Sequence, residues 1–346
     1  METIFISGNP LNTKIINDTK KITGLNNFTL IDIPLPLRYR IKNYKNRLYP
    51  PVYTRIKKVI KYLRNANAII STSHNFPEYL SKYEIKKPTL IYLYHGTGTR
   101  AYGFEPSLKE FDHILIPGQY HKDRLIKSFP VKDGQLEMVG VPKLDWMKIK
   151  KSKNQRLFNN DNPIFYYNPH WEIEFSSYLK WKDVILEFFK QKKFYNLIFS
   201  PHPLIQHLSK KTGYELNEKN IVEDNILVDL ESDQCLDGTY TSMADVYIGD
   251  ISSMVTEWVM QKPRPCIFIN AHNVNWKGND DYYIWRFGKV VNELKEFEDA
   301  VKKSTHHNDF EKIQKKLKNE FIYSSDKSSS DLCARFIETK LSIPSK

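Results

Sequence analysis

Short apolar runs of strand type recur along this chain with helical spacings between them, and no other feature restricts its fold as strongly. In the first half the runs are Thr3–Ser7, Phe28–Ile33, Ala68–Ser71, Leu90–Tyr94, His113–Ile116 and Leu136–Val139, with candidate helices over Val52–Arg64 and Tyr120–Phe129. A second series comprises Ile164–Tyr167, Leu197–Phe199, Ile226–Val228, Asp245–Ile248, Cys266–Ile269 and Lys289–Val291, with the longest helical stretch at Ser176–Lys193. Strands that alternate with helices build parallel sheets with helices on their faces. Two such series predict an α/β chain of two Rossmann-like domains. The polar stretch Lys148–Asn162 divides them: an N-terminal domain over 1–147, a linker over 148–162 and a second domain over 163–325. A closing segment, 326–346, carries the helix Asp331–Leu341.

Composition narrows the function classes. The 346 residues are 40% hydrophobic and 13% aromatic, enough for two cores and against wholesale disorder. Three widely spaced cysteines fit a reducing compartment and make no zinc pattern. No apolar run approaches the ~20 residues that span a bilayer, and METIFISGNP has no signal-peptide layout. The expectation is a cytoplasmic protein. A formal charge of +12 favours an anionic partner: a nucleotide, a phosphate-rich polymer or an acidic membrane face. Nucleic acid is disfavoured, because the basic–aromatic segment Arg38–Arg64 has no RNP, KH or zinc-finger pattern. Its helical part lines up Val52, Ile56, Val59, Ile60 and Leu63. That face suits packing on the domain itself, the commoner case, or lying on anionic lipid.

Parallel sheets gather ligands beyond the carboxyl ends of their strands, and there the polar motifs stand. His95-Gly96-Thr97-Gly98-Thr99-Arg100 follows one strand and is built for close backbone approach, although it is no GxGxxG fingerprint. Ser200-Pro201-His202-Pro203 follows another, and its two prolines stiffen the backbone on either side of the imidazole. In Asn168-Pro169-His170-Trp171-Glu172, His170 reads as a loop residue beside a Trp anchor. After Asp245–Ile248, Gly249–Asp250 break the strand and Ser252–Ser253 open a helix with Met254/Trp258 and Val255/Val259 on one face. The first N–H groups of such a helix lack intrahelical partners and attract anions; the same Asp and Ser side chains also serve as caps. Glu257, one turn in, can reach the hydroxyls of a ribose attached to a bound phosphate, or it is an ordinary helix glutamate.

As a set, these motifs resemble the CDP-glycerol glycerophosphotransferase family, which includes the teichoic-acid glycerol-phosphate primases and polymerases. The resemblance rests on His-Gly-Thr at 95–97, Pro-His-Pro at 201–203 and Asp-x-x-Ile-x-Asp-x-Ser-Ser at 245–253, with weaker echoes at Val139–Asp145 and Tyr167–Trp171. It covers most of residues 90–270. It implies a GT-B fold, two domains facing a central cleft, working at the inner membrane face. His95 would be the catalytic base; His202, Asp250, Ser252 and Ser253 would hold and activate the donor diphosphate. Glu257 would bind the ribose, while Gly96, Thr97 and Arg100 would line the acceptor side or the cleft. This chain departs from the family in having Gly98-Thr99-Arg100 where Pro-Leu-Lys is usual, Ile251 where a tyrosine is usual, and Glu257 where aspartate is often found.

The implied reaction moves a glycerol-phosphate, or related alditol-phosphate, from a CDP-activated donor to a hydroxyl of a polymer or lipid-linked acceptor. Imidazoles, Ser hydroxyls and helix N–H groups can serve it, so the reading calls for no metal and no cofactor. A second reading keeps the fold and moves a sugar from a nucleotide-sugar donor in capsule or lipopolysaccharide synthesis. A third is a non-catalytic protein that binds anionic polymer through its basic surface.

Overall fold

The computed structural model describes residues 2–8, 10–33, 56–86, 88–149, 156–202, 204–205, 223–230, 232–235 and 237–341. Residues 38–55 of the basic–aromatic segment and Pro203 lie outside them. The chain divides into two compact units: residues 1–95, 102–150 and 320–346 form the first, and 96–101 with 151–319 form the second. Two assignments differ from the sequence expectation. The segment after the fourth strand counts with the second unit, and residues 320–325 count with the first.

In the first unit β1 (Thr3–Ser7) pairs in parallel with β2 (Phe28–Asp32), with α1 (Pro10–Thr23) between them. A four-stranded parallel sheet follows in simple order: β3 (Ala68–Ser71), β4 (Thr89–Leu93), β5 (His113–Ile116) and β6 (Leu136–Met138). Its helices are α2 (Ile60–Asn65), α3 (Phe76–Lys82), α4 (Gln119–Ser128) and α5 (Pro142–Ile149). Ile56, Val59 and Leu63 face the core, while Lys57, Lys58, Lys61 and Arg64 are exposed. The helical part of Arg38–Arg64 that is described therefore packs on its own unit.

The second unit holds a six-stranded all-parallel sheet in the order β12-β11-β10-β7-β8-β9. Its strands are β7 (Ile164–Asn168), β8 (Asn196–Phe199), β9 (Ile226–Val228), β10 (Val246–Gly249), β11 (Cys266–Ile269) and β12 (Lys289–Val291). Helices α6 (Tyr178–Gln191), α7 (Thr239–Met243), α8 (Met254–Gln261), α9 (Leu294–Ser304) and α10 (Glu311–Phe321), whose last two residues count with the first unit, complete the alternation. Phe165, Tyr166 and Tyr167 of β7 are all fully buried, as are Leu197, Ile198 and Phe199 of β8. A strand covered on both faces needs an unbroken apolar run rather than alternation, which is what these segments supply. Of the expected linker, residues 156–162 pack onto this unit: Phe158 is buried, and the Asn160 and Asn196 side chains exchange hydrogen bonds of 2.7 and 3.2 Å.

The order of this sheet locates its ligand crevice. From β7 the chain steps outward to β8 and β9, then returns to lay β10 on the other side of β7. The carboxyl ends of β7 and β10 therefore flank a topological switch point, where open parallel sheets leave room for a ligand.

Candidate functional site

Three turns converge at the carboxyl ends of β10, β7 and β8. The turn after β10 begins at Gly249, where a Cβ would stand 2.5 Å from the Tyr247 hydroxyl. Next comes Asp250, fully buried. Its carboxylate accepts the His170 N–H at 2.9 Å, the Ser177 N–H at 2.7 Å and the Ser177 hydroxyl at 2.9 Å. Burial pushes its pKa up to about 6, against the pull of the bonds from Ser177, His170 and Ile251. All of this capacity goes inward. Asp250, expected to help hold the donor diphosphate, is thus engaged by the backbone and side chain of residues 170–177.

The two serines that follow do different things. Ser252 is buried, and its Oγ accepts the Met254 N–H at 3.2 Å in the turn that leads into α8, whose N-cap residue is Ser253. Ser253 is exposed, and its hydroxyl makes no bond to a described residue. Ser252 O and Ser253 O accept the N–H groups of Val255 and Thr256 at 3.3 and 3.1 Å. The N–H groups of Ser252 and Ser253 meet no acceptor among the described residues. One hydroxyl and two backbone donors thus stand at the positive end of α8, at the switch point of the sheet. Glu257, on the first turn of α8, is buried.

The turns after β7 and β8 are tied together. Asn168 donates to Ser200 O at 2.6 Å, and the His202 N–H donates to Pro169 O at 3.1 Å. His202 Nδ1 accepts the Leu204 N–H at 3.1 Å, so in the neutral ring the proton sits on Nε2. Burial, then the Arg100 charge, lowers the His202 pKa to about 4. His170 is lowered further, to about 2, by burial, Arg100 and His202 in that order. Both imidazoles are neutral at pH 7, so His202 can act as a neutral N–H donor.

Residues 96–101 complete this side of the unit. Thr97 and Thr99 are buried, and the Thr99 hydroxyl donates to Asp281 O at 3.1 Å. Arg100 donates to His170 Nε2 at 3.1 Å, forms an ion pair with Glu172 and lies over the Phe175 ring at 4.4 Å. A Cβ at Gly96 would stand 4.0 Å from Glu257 Oε1, and one at Gly98 3.5 Å from Ser253 Cβ. The segment therefore runs past the start of α8. His95, exposed directly after β4, is the last residue of the first unit before this segment.

Sequence reading misses several participants. Ser176-Ser177 before an apolar helix looks like a plain cap, yet Ser177 donates its N–H and its hydroxyl to Asp250. Asp281 and Trp285, which donates through Nε1 to Asp250 O at 3.1 Å, sit in a 3-10 helix over Asp280–Phe287 that no local motif marks. Among the described residues there is no cluster of three or more His, Cys, Asp or Glu placed to hold a metal ion. Among them too, no helix is long and apolar enough to cross a membrane.

A family model described as CDP-glycerol:poly(glycerophosphate) glycerophosphotransferase matches residues 39–339. Solved structures of the wall teichoic acid polymerase TagF share the fold. One histidine variant superposes with a TM-score of 0.68 at 16% identity, covering 99% of this chain and 89% of the polymerase chain. A second histidine variant gives a TM-score of 0.66 at 16% identity and the same coverage. The S. aureus MnaA–UDP complex superposes at a TM-score of 0.60 and 11% identity, covering 100% of this chain and 98% of its own. These neighbours are GT-B-type proteins, and the fold of this chain is of that type. No curated protein matches the sequence.

Proposed function

The chain belongs to the CDP-glycerol:poly(glycerophosphate) glycerophosphotransferase family, and on that premise we propose that its second unit binds the CDP-activated donor at the start of α8. It is a transferase that moves glycerol-phosphate from CDP-glycerol to a cell-wall polymer. The observation that carries the site assignment is the set of unengaged donors there: the Ser253 hydroxyl and the N–H groups of Ser252 and Ser253. In this reading they take the diphosphate, assisted by His202 Nε2–H, and Glu257 accepts from the ribose.

The acceptor hydroxyl oxygen attacks the phosphorus that bears glycerol. The bond from that phosphorus to the bridging oxygen breaks, and CMP leaves with the electron pair. His95 takes the proton lost by the hydroxyl, and the donors at α8 stabilise the charge that develops on the leaving phosphate. Asp250 acts behind them as a positioning residue and Arg100 as a clamp on the 170–175 loop, in place of the direct contacts expected from sequence.

We place the reaction at the cytoplasmic membrane face. The three free, buried cysteines agree with a reducing compartment. The exposed Lys57, Lys58, Lys61 and Arg64 offer charge to acidic lipid. The deciding experiment supplies CDP-glycerol, a UDP-sugar or a CMP-sugar with a glycerophosphate polymer and measures nucleotide release. CMP from CDP-glycerol alone is expected; nucleotide from a sugar donor instead would overturn the reading.

A further inference from the structure

Three consecutive residues of the segment after His95 are anchored, each by a different contact. Thr99 donates its hydroxyl to Asp281 O at 3.1 Å, the Ala101 N–H donates to Asp281 Oδ1 at 2.8 Å, and Arg100 between them grips His170 and Glu172. Asp281 is itself fixed, because its N–H donates at 3.0 Å to Oδ1 of Asn279, the residue that caps the 3-10 helix. Further along the same short helix, Trp285 donates to Asp250 O. One eight-residue helix therefore ties both the segment 96–101 and the turn that leads into α8.

We propose that Asp281 is a positioning residue for the transfer reaction, holding the Gly96–Ala101 backbone in place over the start of α8. The inference rests on the function proposed above. Gly96 and Gly98 leave this backbone intrinsically loose, since glycine restricts φ and ψ least of all residues. The segment also runs close to the reacting groups, with Gly98 beside Ser253 and Gly96 beside Glu257. A substrate oxygen must be held within a few tenths of an ångström of its attack line, and a misplacement of 1 Å can cost about a hundredfold in rate. Two acceptors on one residue, a carboxylate oxygen and a carbonyl, remove that freedom at the end of the segment.

The test compares Asp281→Ala, Asp281→Asn and Thr99→Val in the full chain. Asparagine keeps an Oδ1 that can accept the Ala101 N–H, whereas alanine does not. For Asp281→Ala, kcat should fall about 10- to 100-fold, with affinity for CDP-glycerol and the melting curve as in the wild type. Asp281→Asn should recover most of the lost rate. Thr99→Val, which removes one anchor only, should show a smaller fall and also covers the case in which the alanine variant folds poorly. Hydrogen exchange supplies a readout independent of turnover: the Ala101 amide should exchange faster in Asp281→Ala and at the wild-type rate in Asp281→Asn, with α8 unchanged. Wild-type exchange at Ala101 in the alanine variant, or an asparagine variant as impaired as alanine, overturns the proposal. A wild-type protein that releases no CMP from CDP-glycerol refutes the function proposed above, while the exchange measurement still decides the anchor.

Discussion

Ser253→Ala and Ser252→Ala should separate two hydroxyls that look alike in the sequence. The Ser253 side chain is exposed and bonds to no described residue, so its removal leaves nothing unsatisfied in the free protein. If it donates to a diphosphate oxygen, the loss is that of a hydrogen bond to a charged group, roughly 1.5–3 kcal/mol. That corresponds to about a 12- to 150-fold rise in the dissociation constant for CDP-glycerol. Ser252 is buried and its Oγ holds the Met254 N–H, so its alanine variant should lose about 0.5–1.5 kcal/mol of stability instead, the usual share of an internal hydrogen bond. Titration calorimetry with CDP-glycerol and urea unfolding of both variants give the two readouts. A Ser253→Ala protein with wild-type donor affinity would refute the assignment of α8 as the diphosphate site. A Ser252→Ala protein of unchanged stability would refute the division of labour.

His95→Ala should lose about 10²- to 10⁴-fold in turnover, the usual share of general-base catalysis, with donor affinity retained; full turnover would remove His95 from the mechanism, and lost donor binding would make it a ligand. Stability should also fall between pH 6.5 and 4. His202 and His170 are depressed from 6.5 to about 4 and about 2, so the stability they supply is complete above 6.5 and is lost as pH falls toward those values. Asp250, raised from 3.8 to about 6, acts in the opposite sense over that window and offsets part of the loss. Each histidine can contribute a slope of up to about 1.4 kcal/mol per pH unit, so His202→Gln should flatten the profile measurably; an unchanged slope would show that His202 titrates normally. Co-sedimentation with vesicles containing acidic lipid should weaken with added salt and on charge removal at Lys57, Lys58, Lys61 and Arg64. Binding that ignores salt and charge would return that helix face to plain solvent exposure.

The sheets were legible because each central strand is a compact apolar run that declares itself within four or five residues. Among the described residues, all twelve strands lie where the pattern places them, with ends displaced by one residue at most. The motif turns were legible for the same local reason. What they do inside the molecule was not. Asp250 sits beside Ser252 in sequence and shares its motif, yet its partner Ser177 lies 73 residues away and turns it inward. Asp281 meets Ala101 across 180 residues. Neither pairing leaves a periodicity, a cap signal or a spacing for a linear reading to find. Whether a polar side chain at a strand end faces ligand or protein depends on what the rest of the chain brings against it.

The last helix, α11 (Ser329–Lys340), belongs to the first unit, and that has a consequence for synthesis. Its Leu332, Cys333, Phe336 and Ile337 cover Ile91, Leu115 and Val139. Its Ser329 hydroxyl accepts the Val141 N–H at 2.9 Å, while Asp145 takes the Ser330 N–H at 2.8 Å. A ribosome delivers the β3–β6 sheet first and this cover almost two hundred residues later, about 10–40 s at roughly 5–20 residues per second. During that interval the second unit can finish folding while the first waits with an apolar face uncovered. The nascent chain is therefore most exposed to misassociation in the part made earliest, and its completion is timed by the part made last.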